Sequence, residues 1–159
     1  MKIEVYLAGR MSGKTVKESM QWRRDFVEHF GESTSVLVHN PCYLLDESMD
    51  NNMLLSGNPP GNDHYFGGVA SYQRDLWMVD KCDVVVANLT GDDWMSLGTI
   101  FELGYAKKAG KLIIAICKPG DYAANHLFVQ NACTIVSSLS EAITHIENIS
   151  EGPSRTKGH

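Results

Sequence analysis

Residues 83–89 read DVVVANL, in which three consecutive valines precede the polar Asn88. Uninterrupted β-branched residues are typical of strands that are buried on both faces of a sheet. Four further runs rich in Val, Ile or Leu occur, namely KIEVYLAG (2–9), SVLVHNP (35–41), KLIIAIC (111–117) and CTIVSS (133–138). We therefore predict five buried strands, with residues 83–89 as the central one.

Helical periodicity lies between these strands, at roughly 14–30, 68–81 and 97–109, and again at 139–148 after the last strand. Strands that alternate with helices of this length require right-handed crossovers and hence parallel pairing. The sequence predicts a doubly wound α/β domain, with a mostly parallel five-stranded sheet and helices on both faces. Ligands bind such folds at the carboxyl ends of the strands, so the candidate loops follow Leu7, His39, Leu89 and Cys117.

The chain has 159 residues, 43% of them hydrophobic and 21% charged, which is ordinary for one globular domain. We expect a single domain over residues 1–150 and a polar, flexible tail over 151–159. No apolar run approaches the roughly 20 residues of a membrane span, and the amino terminus lacks the pattern of a signal peptide. The expected location is therefore cytoplasmic, without a membrane partner.

The four cysteines and the net charge argue against several classes of protein. Cys42, Cys82, Cys117 and Cys133 show no C-x-x-C spacing, which argues against a structural zinc site or a disulfide framework. We expect mostly buried, reduced thiols. The net charge of −5 disfavours a nucleic-acid surface, so a bound nucleotide is expected to be a small molecule.

Residues 42–67 have weak periodicity and are long for a connection. A lid or binding loop and a tolerated surface insertion are equally compatible with this segment.

Residues 8–15, AGRMSGKT, match the loose phosphate-loop pattern directly after the first strand. Glycines in such a loop let backbone amides approach phosphate, and Lys14 could neutralise its charge. A phosphate-loop NTPase also needs an aspartate at the end of an apolar strand, whereas Asn88 stands there. The sequence disfavours a nucleotide kinase or NTPase but leaves it open.

Residues 96–111, SLGTIFELGYAKKAGK, place Glu102 about one turn into a predicted helix, among apolar neighbours. A carboxylate in such surroundings costs free energy unless it is paired or used, which makes Glu102 a candidate functional residue. The alternative is a solvent-facing helical glutamate. Asp75, Asp80 and Asp83 lie before or at the start of the central strand, where capping or exposure is the simpler role for each.

The order YLAG, RDLWMVDKCDVVVANL, GTIFELGYA and GKLII resembles the nucleoside 2-deoxyribosyltransferase family and its relatives that hydrolyse nucleoside monophosphates. The resemblance covers about residues 1–148, and the GTIFELGYA segment is its most specific part. It implies that Glu102 is the nucleophile and that Asp75 handles the base and its proton. It also implies that an asparagine from a neighbouring subunit, here Asn125, completes the site.

The same resemblance makes residues 8–15 part of a nucleoside-binding loop. The substrate-binding residues that it implies are Tyr6, Gly9, Arg10, Ser12, Ser96, Gly98 and Asn125. It further implies a homo-oligomer with shared sites and a mechanism that needs no metal or other cofactor. Trp22, Trp77 and Trp94 could each be a core, interface or base-stacking residue, and core packing is the expected role for each.

Ser96 departs from the transferase pattern, which carries an acid six residues before the nucleophile to hold the sugar 5′-hydroxyl. The monophosphate-hydrolysing relatives have serine at this place. A hydroxyl near a helix amino terminus suits an anion, and Arg10, Ser12 and Lys14 could assist it, although Asp92 and Asp93 oppose it. The resemblance therefore leaves two expected substrates, a nucleoside or its 5′-monophosphate.

Overall fold

The computed structural model describes residues 2–42, 50–55, 68–91 and 95–152. The strands are β1 (Ile3–Gly9), β2 (Val36–His39), β3 (Val84–Asn88), β4 (Leu112–Ile116) and β5 (Thr134–Val136). The helices are α1 (Val16–Phe30), α2 (Gly68–Lys81), α3 (Leu97–Lys108), α4 (Leu127–Ala132) and α5 (Leu139–Glu151), with a 3-10 turn at Ala123–Asn125. Each predicted strand and helix is present, with ends shifted by up to three residues, whereas the six-residue α4 was not predicted.

The strands form one sheet in the order β2-β1-β3-β4-β5, and every neighbouring pair is parallel. The predicted doubly wound α/β fold is confirmed. The chain reverses its direction of winding between β1 and β3, where Tyr6 lies opposite Val85. Ligand sites of such folds lie at this switch point.

The alternation of side chains along β1 assigns the helices to the two faces of the sheet. Ile3, Val5 and Leu7 pack with Phe26 of α1 and Ile146 of α5. Tyr6 and Ala8 point to the opposite face and pack with side chains of α2 and α3, including Val79 and Leu103. Since successive strand residues face opposite sides, Tyr6 is directed at the α2–α3 layer.

Helix α1 begins with a capping box, in which the Thr15 hydroxyl accepts from the Glu18 amide and the Glu18 carboxylate accepts from the Thr15 amide. Such a cap contributes about 1 kcal/mol to stability. The cap fixes the point at which the β1–α1 loop ends.

Several further expectations can be compared with the structure. Cys42, Cys82 and Cys117 are buried thiols and Cys133 is partly buried, as predicted. Trp22 packs beside the core, but Trp77 is 54% exposed in the single chain, so the prediction of core packing was wrong for Trp77. Trp94, Asp92, Asp93, most of the 42–67 segment and residues 153–159 of the predicted tail lie outside the described residues.

Candidate active site

A cavity of about 730 Å³ lies beside the carboxyl end of β1, between α2 and α3. Its volume is in the range of ligand pockets. Seven of the nine predicted site residues line it: Tyr6, Gly9, Ser12, Asp75, Ser96, Gly98 and Glu102. Residues that are far apart in the sequence therefore meet in one place, and their roles in a reaction remain predictions.

Glu102 lies on the inner side of α3, since Thr99, Leu103 and Ala106 of the same helix are buried. The Tyr6 hydroxyl donates a hydrogen bond of 2.7 Å to Oε1 of Glu102. Tyr6 is fully buried, so the donor is fixed in place. The solvent-facing alternative for Glu102 is therefore excluded.

The pKa of the Glu102 carboxyl is raised to about 7. Burial is the main cause and the negative charge of Asp75 adds to it, whereas the Tyr6 hydrogen bond and the positive charge of Arg23 act in the opposite direction. Burial and the two carboxylates likewise raise the pKa of the Tyr6 hydroxyl. Tyr6 therefore stays protonated and can keep donating to Glu102.

Asp75 projects from α2 into the cavity, and Arg74 holds one of its oxygens. Both Nε and Nη2 of Arg74 donate to Oδ1 of Asp75, at 3.0 and 2.9 Å, and Nη2 also donates to the Pro41 carbonyl. Burial raises the pKa of Asp75, while Arg74 and Arg23 oppose that shift. Arg74 therefore holds Oδ1 of a carboxylate that lines the cavity.

Of the three aspartates considered together, only Asp75 lines the cavity. Asp80 accepts hydrogen bonds from the Tyr105 hydroxyl, and Asp83 accepts one from the Glu4 amide. The structure therefore gives Asp80 and Asp83 local structural partners.

Ser96 is the N-cap residue of α3, but its hydroxyl makes no side-chain capping hydrogen bond. Ser96 and Gly98 both line the cavity, and a Cβ built on Gly98 would meet only the Ser96 hydroxyl, at 3.8 Å. The first turn of α3 is thus open to the cavity, with the positive end of the helix dipole directed at its mouth.

The β1–α1 loop resembles a phosphate loop in sequence but not in its hydrogen bonding. The amides of Gly13, Val16 and Lys17 donate to carbonyls of residues 51–55, and the Lys14 amide donates to the Met11 carbonyl. The Thr15 amide belongs to the capping box. Three amides of the motif itself, those of Gly13, Lys14 and Thr15, are therefore already paired, which disfavours a phosphate cradle in this loop.

Two predicted residues are not among the described residues that line the cavity. Arg10 donates from Nε to the Ser12 carbonyl within the loop, at 2.8 Å. Asn125 is exposed at the end of the 3-10 turn, away from the cavity of its own chain. A contribution of Asn125 to a neighbouring subunit remains a prediction.

The other residues that line the cavity include four charged or aromatic side chains that were not predicted as site residues, namely Arg23, Tyr72, Arg74 and Phe101. The Tyr72 and Phe101 rings lie 5.8 Å apart and form an aromatic wall between α2 and α3. A signal for Arg23 exists in the sequence, because it falls on the buried stripe of α1 with Val16 and Met20. Arg74 carries no comparable signal.

The described part of the chain shows neither a metal-binding cluster nor a membrane-spanning helix. No group of three or more His, Cys, Asp or Glu side chains in this part of the chain could hold a metal ion. None of its helices combines the length and apolarity needed to cross a membrane.

The fold is an α/β fold, and its cavity at the switch point holds two carboxylates, Asp75 and Glu102. The family model for nucleoside 2-deoxyribosyltransferase matches residues 5–135. This chain belongs to that family. No curated protein sequence matches the chain.

Solved structures share the fold over most of their length. A 2-deoxyribosyltransferase from Bacillus psychrosaccharolyticus has a TM-score of 0.61 and 14% identity, covering 88% of this chain and 90% of its own. A 2-deoxyribosyltransferase from Leishmania mexicana has a TM-score of 0.61 and 18% identity, covering 94% and 98%. The Clostridium botulinum CMP N-glycosidase has a TM-score of 0.52 and 18% identity, covering 91% and 98%.

Proposed function

We propose that this protein cleaves the N-glycosidic bond of a 2′-deoxynucleoside and transfers the deoxyribosyl group to another base through a covalent glycosyl–Glu102 intermediate. The observation that carries the proposal is the position of Glu102, whose Oε1 is held at 2.7 Å by the buried Tyr6 hydroxyl inside the cavity. Membership of the deoxyribosyltransferase family supports the same reaction.

In the first step the free Oε2 of Glu102 attacks C1′ of the sugar. The C1′–N bond breaks as the new C1′–O bond forms, and its electron pair leaves with the base. A protonated Asp75 donates its proton to the leaving base, so that the base departs neutral. In the second step a new base, or water, displaces Glu102 from C1′ and returns a proton to Asp75. Two displacements give net retention of configuration.

The charges around the cavity support the role of Glu102 as nucleophile and that of Asp75 as proton donor. Glu102 must be ionised to attack, and the hydrogen bond from Tyr6 stabilises that form. Asp75 must bind a proton in part of the cycle, and burial favours its protonated form. Arg74 restrains Oδ1 of Asp75, which orients the other oxygen toward the base.

Hydrolysis of (deoxy)nucleoside 5′-monophosphates to free base and sugar phosphate is the second candidate function. Ser96 favours it, because an uncharged hydroxyl without a capping partner stands at the amino terminus of α3, where an anion is stabilised. In this alternative, water is the acceptor in the second step and Glu102 and Asp75 keep their roles.

We further propose that the protein is a homo-oligomer whose sites are shared between subunits. Exposed aromatic and aliphatic side chains would be covered in an assembly: Tyr72, Leu97 and Phe101 line the cavity, and Trp77 lies on α2. Asn125 would then reach the cavity of the neighbouring subunit. Light scattering gives the oligomeric state, and mixing Glu102→Gln with Asn125→Ala tests sharing. Activity regained by two inactive variants supports shared sites, and no recovery after subunit exchange contradicts them.

We also propose a cytoplasmic location. Free thiols are the usual state of cysteine there, and Cys42, Cys82, Cys117 and Cys133 are all unpaired.

The decisive experiment is chromatographic detection of free base from deoxynucleosides and their 5′-monophosphates, with and without a second base. We expect exchange of the base on deoxynucleosides. Base release confined to monophosphates would instead establish the second candidate. Glu102→Ala should lower turnover by about 10³-fold or more, while Glu28→Ala, an exposed change on α1, should retain it. No release from any substrate would overturn both candidates.

A further inference from the structure

The Arg23 side chain is charged and yet fully buried, with no exposed surface. It lies on α1, on the opposite face of the sheet from α2 and α3, yet it lines the cavity. A buried guanidinium is costly unless other groups compensate its charge. We therefore expect negatively charged or hydrogen-bond-accepting groups near Arg23 that compensate its charge.

The hydrogen bonds of Arg23 go to backbone carbonyls. Nη1 donates to the Ser19 carbonyl, and Nη2 donates to the Gly9 carbonyl at 3.0 Å. The Trp22 ring lies against the guanidinium, 4.6 Å from its carbon atom. No described carboxylate forms an ion pair with Arg23, and its Nε has no hydrogen-bond partner in this part of the chain. Within the described parts of the chain, its positive charge is therefore not neutralised by a direct contact with a carboxylate.

Glu102 and Asp75 line the same cavity and lie within the electrostatic reach of Arg23. The charge of Arg23 lowers the pKa of both carboxyls and of the Cys42 thiol, against the effect of burial. The other titratable or charged groups around the two carboxyls are Tyr6 of β1, Arg74 of α2 and the Cys42 thiol. Arg74 contacts Asp75 directly, which leaves Arg23 as the described cation that acts on Glu102.

Gly9 shows how closely Arg23 fits against the end of β1. A Cβ at Gly9 would lie 3.2 Å from the Trp22 ring and 3.3 Å from Nη2 of Arg23. A side chain at this position would push the guanidinium away from the carbonyl that it binds. The absence of a side chain at Gly9 thus permits the contact.

We propose that Arg23 is a positioning residue of this active site: it anchors the carboxyl end of β1 through Gly9 and supplies the buried positive charge that balances Glu102 and Asp75. The inference deepens the proposed function and rests on it for its meaning in catalysis. Arg23 touches no reacting atom, so it acts through the carboxylates and through the loop that begins at Gly9.

The test is a ¹³C NMR titration of the Glu102 carboxyl carbon, assigned by the loss of its signal in Glu102→Gln. Arg23→Met should raise the pKa of Glu102 by about half a unit or more, whereas Arg23→Lys, which keeps the charge, should shift it by less than half as much. Arg24→Met is the matched control, because Arg24 is the next residue of α1 and does not line the cavity. Arg23→Gln replaces Arg23→Met if the methionine variant does not fold.

An unchanged titration of Glu102 in a folded neutral variant of Arg23 would overturn the proposal, because a merely structural arginine would leave it unmoved. The pH profile of kcat/KM provides the second readout, and its acidic limb should move to higher pH in Arg23→Met. If no base release is found for the unmodified protein, the proposed function fails, while the NMR titration still decides the role of Arg23.

Discussion

The Tyr6 hydroxyl and the Glu102 carboxylate are joined by a hydrogen bond of 2.7 Å across 96 positions of sequence. The period of two in β1 directs Tyr6 toward the α2–α3 layer, and the helical period of α3 directs Glu102 toward β1. The bond forms at the switch point of the sheet, where the cavity opens. Fold and site are therefore connected through this pair.

Replacement of Tyr6 by phenylalanine should weaken catalysis and move its pH dependence. The hydrogen bond from Tyr6 lowers the pKa of Glu102, so its loss should raise that pKa above about 7. The acidic limb of the pH profile of kcat/KM should therefore move to higher pH. A loss of about 10-fold to 100-fold in kcat/KM at neutral pH follows. Tyr105→Phe removes a hydroxyl that bonds Asp80 outside the cavity and should leave the profile unchanged.

Glu102→Gln should stabilise the protein at high pH. The pKa of Glu102 is raised from 4.5 to about 7 on folding. The proton that the native state retains therefore contributes stability that is complete below pH 4.5 and is lost as the pH rises to about 7. Above pH 7 the variant should exceed the unmodified protein by about 1–3 kcal/mol in the free energy of unfolding.

Urea unfolding at pH 5 and pH 8 measures this difference. Glu28→Gln is the control for removing an exposed glutamate. A Glu102→Gln variant that is no more stable than the unmodified protein at pH 8 would argue against a buried, destabilised carboxylate.

Asp75→Asn should lower base release strongly, because an amide cannot pass a proton to the leaving base. We expect a loss of about 10²-fold to 10⁴-fold in kcat, the usual contribution of general acid–base catalysis. Asp80→Asn lies on the same helix but bonds Tyr105 outside the cavity, so its kcat should stay within about threefold of the unmodified value. Equal losses in the two variants would remove the assigned role of Asp75.

Ser96→Asp should separate nucleoside from nucleotide substrates. A carboxylate at the amino terminus of α3 repels a 5′-phosphate but can accept a hydrogen bond from a 5′-hydroxyl. Turnover of deoxynucleosides should be retained, and any turnover of monophosphates should fall by at least about 10-fold. Ser96→Ala controls for loss of the hydroxyl alone. Unchanged monophosphate turnover in Ser96→Asp would place the phosphate elsewhere.

The sheet and its main helices were predictable because their signals are local. The valines of β3 and the helical period of α1 each lie within one short stretch of sequence. Helix α4 was missed because six residues, LFVQNA, span too few turns to show a period. Glu102 and Asp75 could be assigned through a motif, and their meeting follows from the order of the strands.

Contacts that depend on tertiary packing could not be predicted. Residues 50–55 pair with the β1–α1 loop, and no local pattern encodes that pairing. Within the phosphate-loop motif this pairing takes up the Gly13 amide, while the Lys14 and Thr15 amides are paired locally. Arg23 was not predicted as a site residue, although its place on the buried stripe of α1 is visible in the sequence.

The most direct test of the account is to look for the covalent intermediate. The protein is incubated with a 2′-deoxynucleoside in the absence of an acceptor base, quenched in acid and analysed by intact and peptide mass spectrometry. The account predicts a deoxyribosyl adduct on the peptide that carries Glu102, absent in Glu102→Gln and removed when a second base is added before quenching. Base release without any adduct on Glu102, or with turnover retained in Glu102→Gln, would contradict it.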